Sequence, residues 1–282
     1  MGLITSKQKI EPVSGEKKAV LIGFKHPGIN NDHIKGSIIR MKKNLMDLRG
    51  FSENNIVLMI QDEPSYSQPD EYNMEDTLAS LFEDANPFDT LFIHLIAPYA
   101  SQGTNDDIPA EHFFRELLKN VRNGCTLTFV FDCLLTDPAE KPVMPSSSVM
   151  ISDQVREGSD SDQVREFVTY LVNNPQEEDV NQTQHHQVVT QSLNTDLLPD
   201  SRATLLMAVQ QHDQNVAPPS TTTVYGGFSN AVLDVIEETN GRVTNLELAR
   251  KAMEKLRMQG IHQKLVLGCS DHLHGYDDSF LS

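Results

Sequence analysis

Apolar runs and helical periodicities alternate along the first half of the chain. Lys18–Phe24 is mostly apolar, as expected of a strand buried on both faces. Ile38, Met41, Leu45 and Leu48 then recur at helical spacing, with Gly50 as the stop. Asn55–Ile60 reads as a second strand, and Asn73 as the cap of a helix whose Leu78, Leu81 and Phe82 face inward. Asp89–Pro98 predicts a third strand, residues 109–121 a helix, and Thr126–Leu135 a fourth strand. Such alternation implies a parallel sheet with right-handed crossovers and helices on both faces. Ligands of such sheets bind at the carboxyl ends of the strands, the edge where His94–Pro98 and Asp132–Leu135 fall.

Past residue 135 the pattern breaks. Pro138, Pro142 and Pro145 lead into a polar stretch in which Ser152–Glu157 recurs as Ser161–Glu166, a local duplication too short to stack into a solenoid. Residues 173–192 are rich in Gln, Asn and Glu and are expected to be disordered or a mobile loop. Periodicity resumes with a strand at Ala203–Val209, a helix opening at Gly226, a Thr244–Glu247 capping box whose helix runs to Gly260, and a last strand at Lys264–Cys269. The division is therefore a flexible arm (1–16), a first α/β part (17–135), a polar, partly disordered linker (136–200) and a second α/β part (201–282).

Composition narrows the function classes. A formal charge of -17 argues against nucleic-acid binding, which needs a basic footprint. No apolar run is long enough to span a bilayer, and the start does not read as a secretory signal. Three cysteines, Cys125, Cys133 and Cys269, read as reduced thiols of a cytoplasmic protein. Met1–Ser6 fits the N-myristoylation pattern at Gly2, and Lys7 and Lys9 follow. One acyl chain anchors only marginally, so weak, reversible membrane association through Gly2 is the expectation. No Gly-rich phosphate loop and no G-x-S-x-G elbow appears. Cys269, Asp271, His272 and His274 have metal-like composition but no standard zinc spacing, and the pair His185-His186 sits in a polar stretch; neither is read as a metal site.

The two strand ends carry a resemblance. His94-Leu95-Ile96-Ala97-Pro98-Tyr99 and Asp132-Cys133-Leu134-Leu135 resemble the strands that bear the catalytic His and Cys of metacaspases, H-x-S-G-H-G and D-S-C-H-S-G. Lys17–Gly23, Glu63–Pro69, Gly227–Ala231, Val243–Leu248 and Cys269–His272 resemble further phrases of the type II, plant-like members, in the same order. The resemblance implies a caspase-like three-layer α/β sandwich, a mostly parallel sheet of about six strands between helices. It also implies a cysteine-type endopeptidase ancestry, cleavage after Arg or Lys, calcium activation and roles in programmed cell death or stress.

At the site this chain departs from the pattern. Pro98 stands at the catalytic His and Leu134 at the catalytic Cys. A cysteine protease needs a thiolate and an imidazole, and loss of one member of such a unit costs on the order of 10⁴–10⁶ in rate. No catalytic residues are expected. The fallback is a displaced His94/Cys133 pair, although a one-residue shift in a strand turns a side chain to the opposite face. His94 otherwise reads as a core histidine with a backbone partner. Asp132 matches the Asp that helps hold a basic substrate side chain; it either still binds a basic group or caps the strand end. The acidic specificity segment is reduced to Asp106 and Asp107, and the calcium dependence is expected to be lost, with no cofactor. The chain is thus expected to be a monomeric pseudoprotease acting on protein partners, active metacaspases or their substrates. The alternative is an active endopeptidase using His94 and Cys133.

Overall fold

The computed structural model describes residues 15–25, 31–100, 117–136, 166–171, 192–194, 201–210, 226–261, 263–270 and 277–281. The elements are β1 (Lys17–Gly23), α1 (Asn31–Arg49), β2 (Ile56–Ile60), α2 (Glu71–Glu83), β3 (Thr90–Ala100), β4 (Thr126–Thr136), β5 (Glu166–Leu171), β6 (Ser192–Asn194), β7 (Arg202–Gln210), α3 (Gly227–Glu238), α4 (Asn245–Met258) and β8 (Gln263–Cys269). Residues 117–120 are also helical. The strands form one sheet in the order β2-β1-β3-β4-β7-β8-β5-β6. Pairing is parallel from β2 through β7 and antiparallel where β8 and β5 join.

Alternation along the strands builds the two cores of a three-layer sandwich. Ala19, Leu21, Phe92, Ile96, Val130 and Leu206 pack with α1, α3 and α4. Val20, Ile22, Leu91, Ile93, Phe129 and Met207 pack with α2 and with Leu117, Leu118 and Val121. Phe92, Phe129, Phe131, Phe228 and Phe280 are fully enclosed. Each such ring contributes roughly 1.5–3 kcal/mol of burial, which outweighs the modest helix propensities of these segments.

The six expected strands form a caspase-like α/β sheet, with ends moved by one or two residues. Two details differ. β5 and β6 lie inside the stretch read as linker and extend the sheet beyond β8, so residues 136–200 supply strands as well as connection. Asp70, not Asn73, caps α2: its carboxylate accepts the Asn73 N–H at 2.9 Å. The capping signal at Thr244 holds, since Thr244 Oγ1 accepts the Glu247 N–H at 3.2 Å. The arm at 1–14, Gly2 within it, Asp106 and Asp107, the duplicated segments up to residue 165, His185-His186, and Asp271, His272 and His274 lie outside the described residues. Among those described, no three or more His, Cys, Asp or Glu side chains cluster as metal ligands, and no helix is long and apolar enough to cross a membrane.

Candidate functional site

The carboxyl ends of β3 and β4 lie side by side in parallel register. His94 pairs with Val130, Ile96 with Asp132, Ala97 with Cys133 and Pro98 with Leu134. Positions 98 and 134 are therefore direct neighbours across the ladder. His94 lies on the face that carries α3, as do Phe92 and Ile96 beside it, and Asp132 reaches the same helix. Ala97 and Phe131 belong to the opposite face, with α2. Position 133 pairs with Ala97 and follows Asp132 by one residue.

His94 and Asp132 meet at one side chain, Ser229. His94 is fully buried, and its Nε2 lies 2.9 Å from Ser229 Oγ. Its Nδ1 is enclosed without a hydrogen-bond partner. Burial lowers the imidazole pKa to about 3, so the ring is neutral at physiological pH. Asp132 is 2% exposed, and its Oδ2 accepts the Ser229 N–H at 2.7 Å. Burial pushes its carboxyl up to about 6, opposed by bonds from the Ser229 N–H and hydroxyl and the Phe228 N–H. Ser229 is the third residue of α3, whose N-cap Gly226 has no side chain to offer. Asp132, from a strand, supplies the missing acceptor and places negative charge at the helix N-terminus.

The local sequence makes this docking possible. Gly226 turns the chain at a φ of 75°. Gly227 packs closely against the connection between α4 and β8, since a Cβ there would lie 3.1 Å from Ile261 Cδ1. Ser37 Oγ in α1 lies 3.1 Å from Asn230 Oδ1, and Arg40 forks onto Asp234 and Glu237 at 2.6 Å each, which holds α3 against α1.

Two expectations are revised by this geometry. The partner of His94 is a serine hydroxyl instead of a backbone group. Asp132 caps a helix and not its own strand end, and its buried carboxylate is committed to α3. Ser229 was legible only as part of a phrase; the available signal was a Gly-Gly pair opening a helix after a loop, which asks for a distant cap. The chain of contacts runs Asp132, Ser229, His94. Acyl transfer by a serine needs the imidazole between hydroxyl and carboxylate. Here the hydroxyl sits in the middle, and Ser229 is fully buried. The cluster fastens three elements together and offers solvent no nucleophile.

A mostly parallel sheet sandwiched between helices defines a caspase-like α/β sandwich. No family model matches the chain. Metacaspase-6 of Arabidopsis thaliana is 24% identical over 364 residues, covering 90% of this chain and 97% of that protein. Metacaspase-9 of the same plant is 24% identical, covering 95% of this chain and 97% of its own length. Metacaspase-7 is 31% identical over 160 residues, and that match spans only 38% of its length. The chain is thus similar to plant metacaspases over most of its length. A solved Geobacter sulfurreducens protein aligns with 90% of the chain at 10% identity and a TM-score of 0.48, too low to bear on the fold.

Proposed function

We propose that this chain is a non-catalytic metacaspase homologue that works by binding protein partners, active metacaspases or their substrates, in cell-death or stress pathways. The observation that carries the reading is the pair Pro98 and Leu134, register neighbours at the strand ends where the resemblance puts His and Cys. Proline has no side-chain donor or acceptor and leucine no nucleophile. The competing reading, an endopeptidase cleaving after Arg or Lys with His94 and Cys133, is disfavoured by the burial of His94 and by the opposite parity of the two positions. Asp132 is spent on α3, which leaves little to hold a basic side chain. Calcium dependence is proposed to be lost, the protein to be a cytoplasmic monomer, and Gly2 to add a weak, reversible membrane contact.

The test is turnover of a fluorogenic peptide ending in Arg, with and without calcium, by the protein and by Cys133→Ala. No turnover is expected under conditions where an active metacaspase cleaves. Turnover that vanishes in Cys133→Ala would establish the endopeptidase instead. Adding the chain to an active metacaspase tests the binding half: a saturable change in the rate of that enzyme is expected, and no change at any ratio removes the regulatory role.

A further inference from the structure

A polar cavity lies at the end of the sheet away from His94 and Asp132. Thr126 opens β4, Arg202 opens β7 and Ser270 follows the last residue of β8, so all three stand at that end. Thr128 pairs with Thr204, and Thr204 with Cys269, on the face that carries α4. The segment from Asp278 to Leu281 lines the same cavity. Asn245 N–H, at the start of α4, donates to Asp278 O at 3.1 Å, and Phe280 N–H donates to Val243 O at 2.9 Å. Phe280 and Leu281 are buried, which fixes the segment in place. Between it and the strands a space of about 40 Å³ is left.

The floor of this cavity carries hydrogen-bonding capacity that the protein does not use. Thr128 and Thr204 are 2% and 8% exposed, and among the described residues no protein group bonds to either hydroxyl. Neither oxygen is sealed from the cavity that the two residues line. Ser270 Oγ accepts the Ala203 N–H at 2.8 Å, and its own proton has no acceptor among the described residues. Buried polar groups are normally satisfied, so three converging hydroxyls call for an occupant. We propose that this cavity binds an uncharged vicinal diol, the end of a small polyol. A hydroxyl both donates and accepts, which matches the donors and acceptors of a diol. The charges at the mouth cancel, since the Arg202 and Asp278 side chains, 57% and 35% exposed, stand 3.5 Å apart. An anion would face Asp278, and a cation would face Arg202. The start of α4 offers no anion site either, because the Asn245 and Glu247 N–H groups already donate to Asp278 O and Thr244 Oγ1. At roughly 10–15 Å³ per water the space takes about three waters, or a two-carbon diol whose atoms are bonded closer together. The competing occupant is water alone.

The test is saturation-transfer NMR of the full chain with ethylene glycol, acetate and methylammonium, each titrated separately at neutral pH. A saturable transfer to ethylene glycol is expected, with none to either ion. Thr128→Val and Thr204→Val replace a hydroxyl by a methyl group of nearly the same size. Each is expected to weaken the apparent affinity about tenfold, the effect of one lost hydrogen bond. Because neither hydroxyl bonds to the protein, both variants should melt within a few degrees of the wild type. Absence of saturable transfer to ethylene glycol means water alone and overturns the site. So do equal affinities in the wild type and both variants, and so does transfer to acetate or methylammonium that matches transfer to the diol. The wild-type titrations stand even where a variant fails to fold. None of these readouts depends on peptidase activity.

Discussion

Ser229 carries more of this structure than its size suggests. Its N–H holds the Asp132 carboxylate and its hydroxyl holds His94, so one small side chain fastens β3, β4 and α3. Ser229→Ala keeps the backbone bond but strands His94 Nε2 in a sealed interior. A buried donor or acceptor left unpaired costs about 1–3 kcal/mol, more than the net worth of the bond that was lost. Chemical denaturation of Ser229→Ala should therefore show a loss of that size. A loss below a few tenths would mean that the His94 ring finds another partner. His94 and Asp132 were legible in the sequence as residues at a strand edge, because alternation and apolar runs are local signals. Their common partner was not. It lies 135 residues from His94 in the chain, and only the packing of α3 on the sheet brings it there.

At the scale of elements, the sequence reads well where a residue type acts on its neighbours and poorly where the acceptor or the strand partner is remote. The helix starting at Thr244 was legible from its capping residues, and Gly50, at a φ of 71°, ends α1 as expected. β5 was hidden because a short strand in a polar stretch carries little periodicity, and its partner β8 lies about a hundred residues on. The turn between α2 and β3 breaks the usual residue rules. Asp89 N–H closes it onto Asn86 O at 3.1 Å, Pro87 takes the second position, and Phe88 takes the third at a φ of 75°. That is the geometry of a type II turn, whose third position favours glycine. Phe88 is 68% exposed, so its ring contributes little burial to offset the strain. Phe88→Gly should therefore stabilise the protein by about 0.5–1 kcal/mol, read as a higher denaturant midpoint at unchanged slope. Destabilisation would show that the Phe88 ring has a packing role.

For the molecule as a whole, stability against pH should record two buried groups pulling in opposite directions. Asp132 titrates at about 6 in the folded protein against 3.8 in an exposed carboxyl. Between those values the folded chain holds a proton that the unfolded chain has released, so Asp132 favours folding below 3.8 and that contribution is lost as pH rises to about 6. At about 1.4 kcal/mol per pH unit, the window corresponds to about 3 kcal/mol. His94 titrates at about 3 folded against 6.5 in its exposed form. Its contribution is complete above 6.5 and is lost as pH falls toward 3, because the unfolded ring takes up a proton that the buried ring refuses. Over the shared interval from about pH 4 to 6 the two slopes nearly cancel. The remaining pH dependence then comes from the net negative charge and from surface carboxylates such as Glu237 and Glu53, whose cation partners hold their pKa below the ordinary value; salt screens both, while the enclosed pair is little affected. At high salt the denaturant midpoint of the wild type should therefore change little across that interval. Asp132→Asn removes one arm and should lose stability steeply on acidification. His94→Gln, which keeps a partner for Ser229, removes the other and should gain stability as pH falls. If both variants follow the wild-type curve, the two groups do not titrate inside the fold as their burial requires.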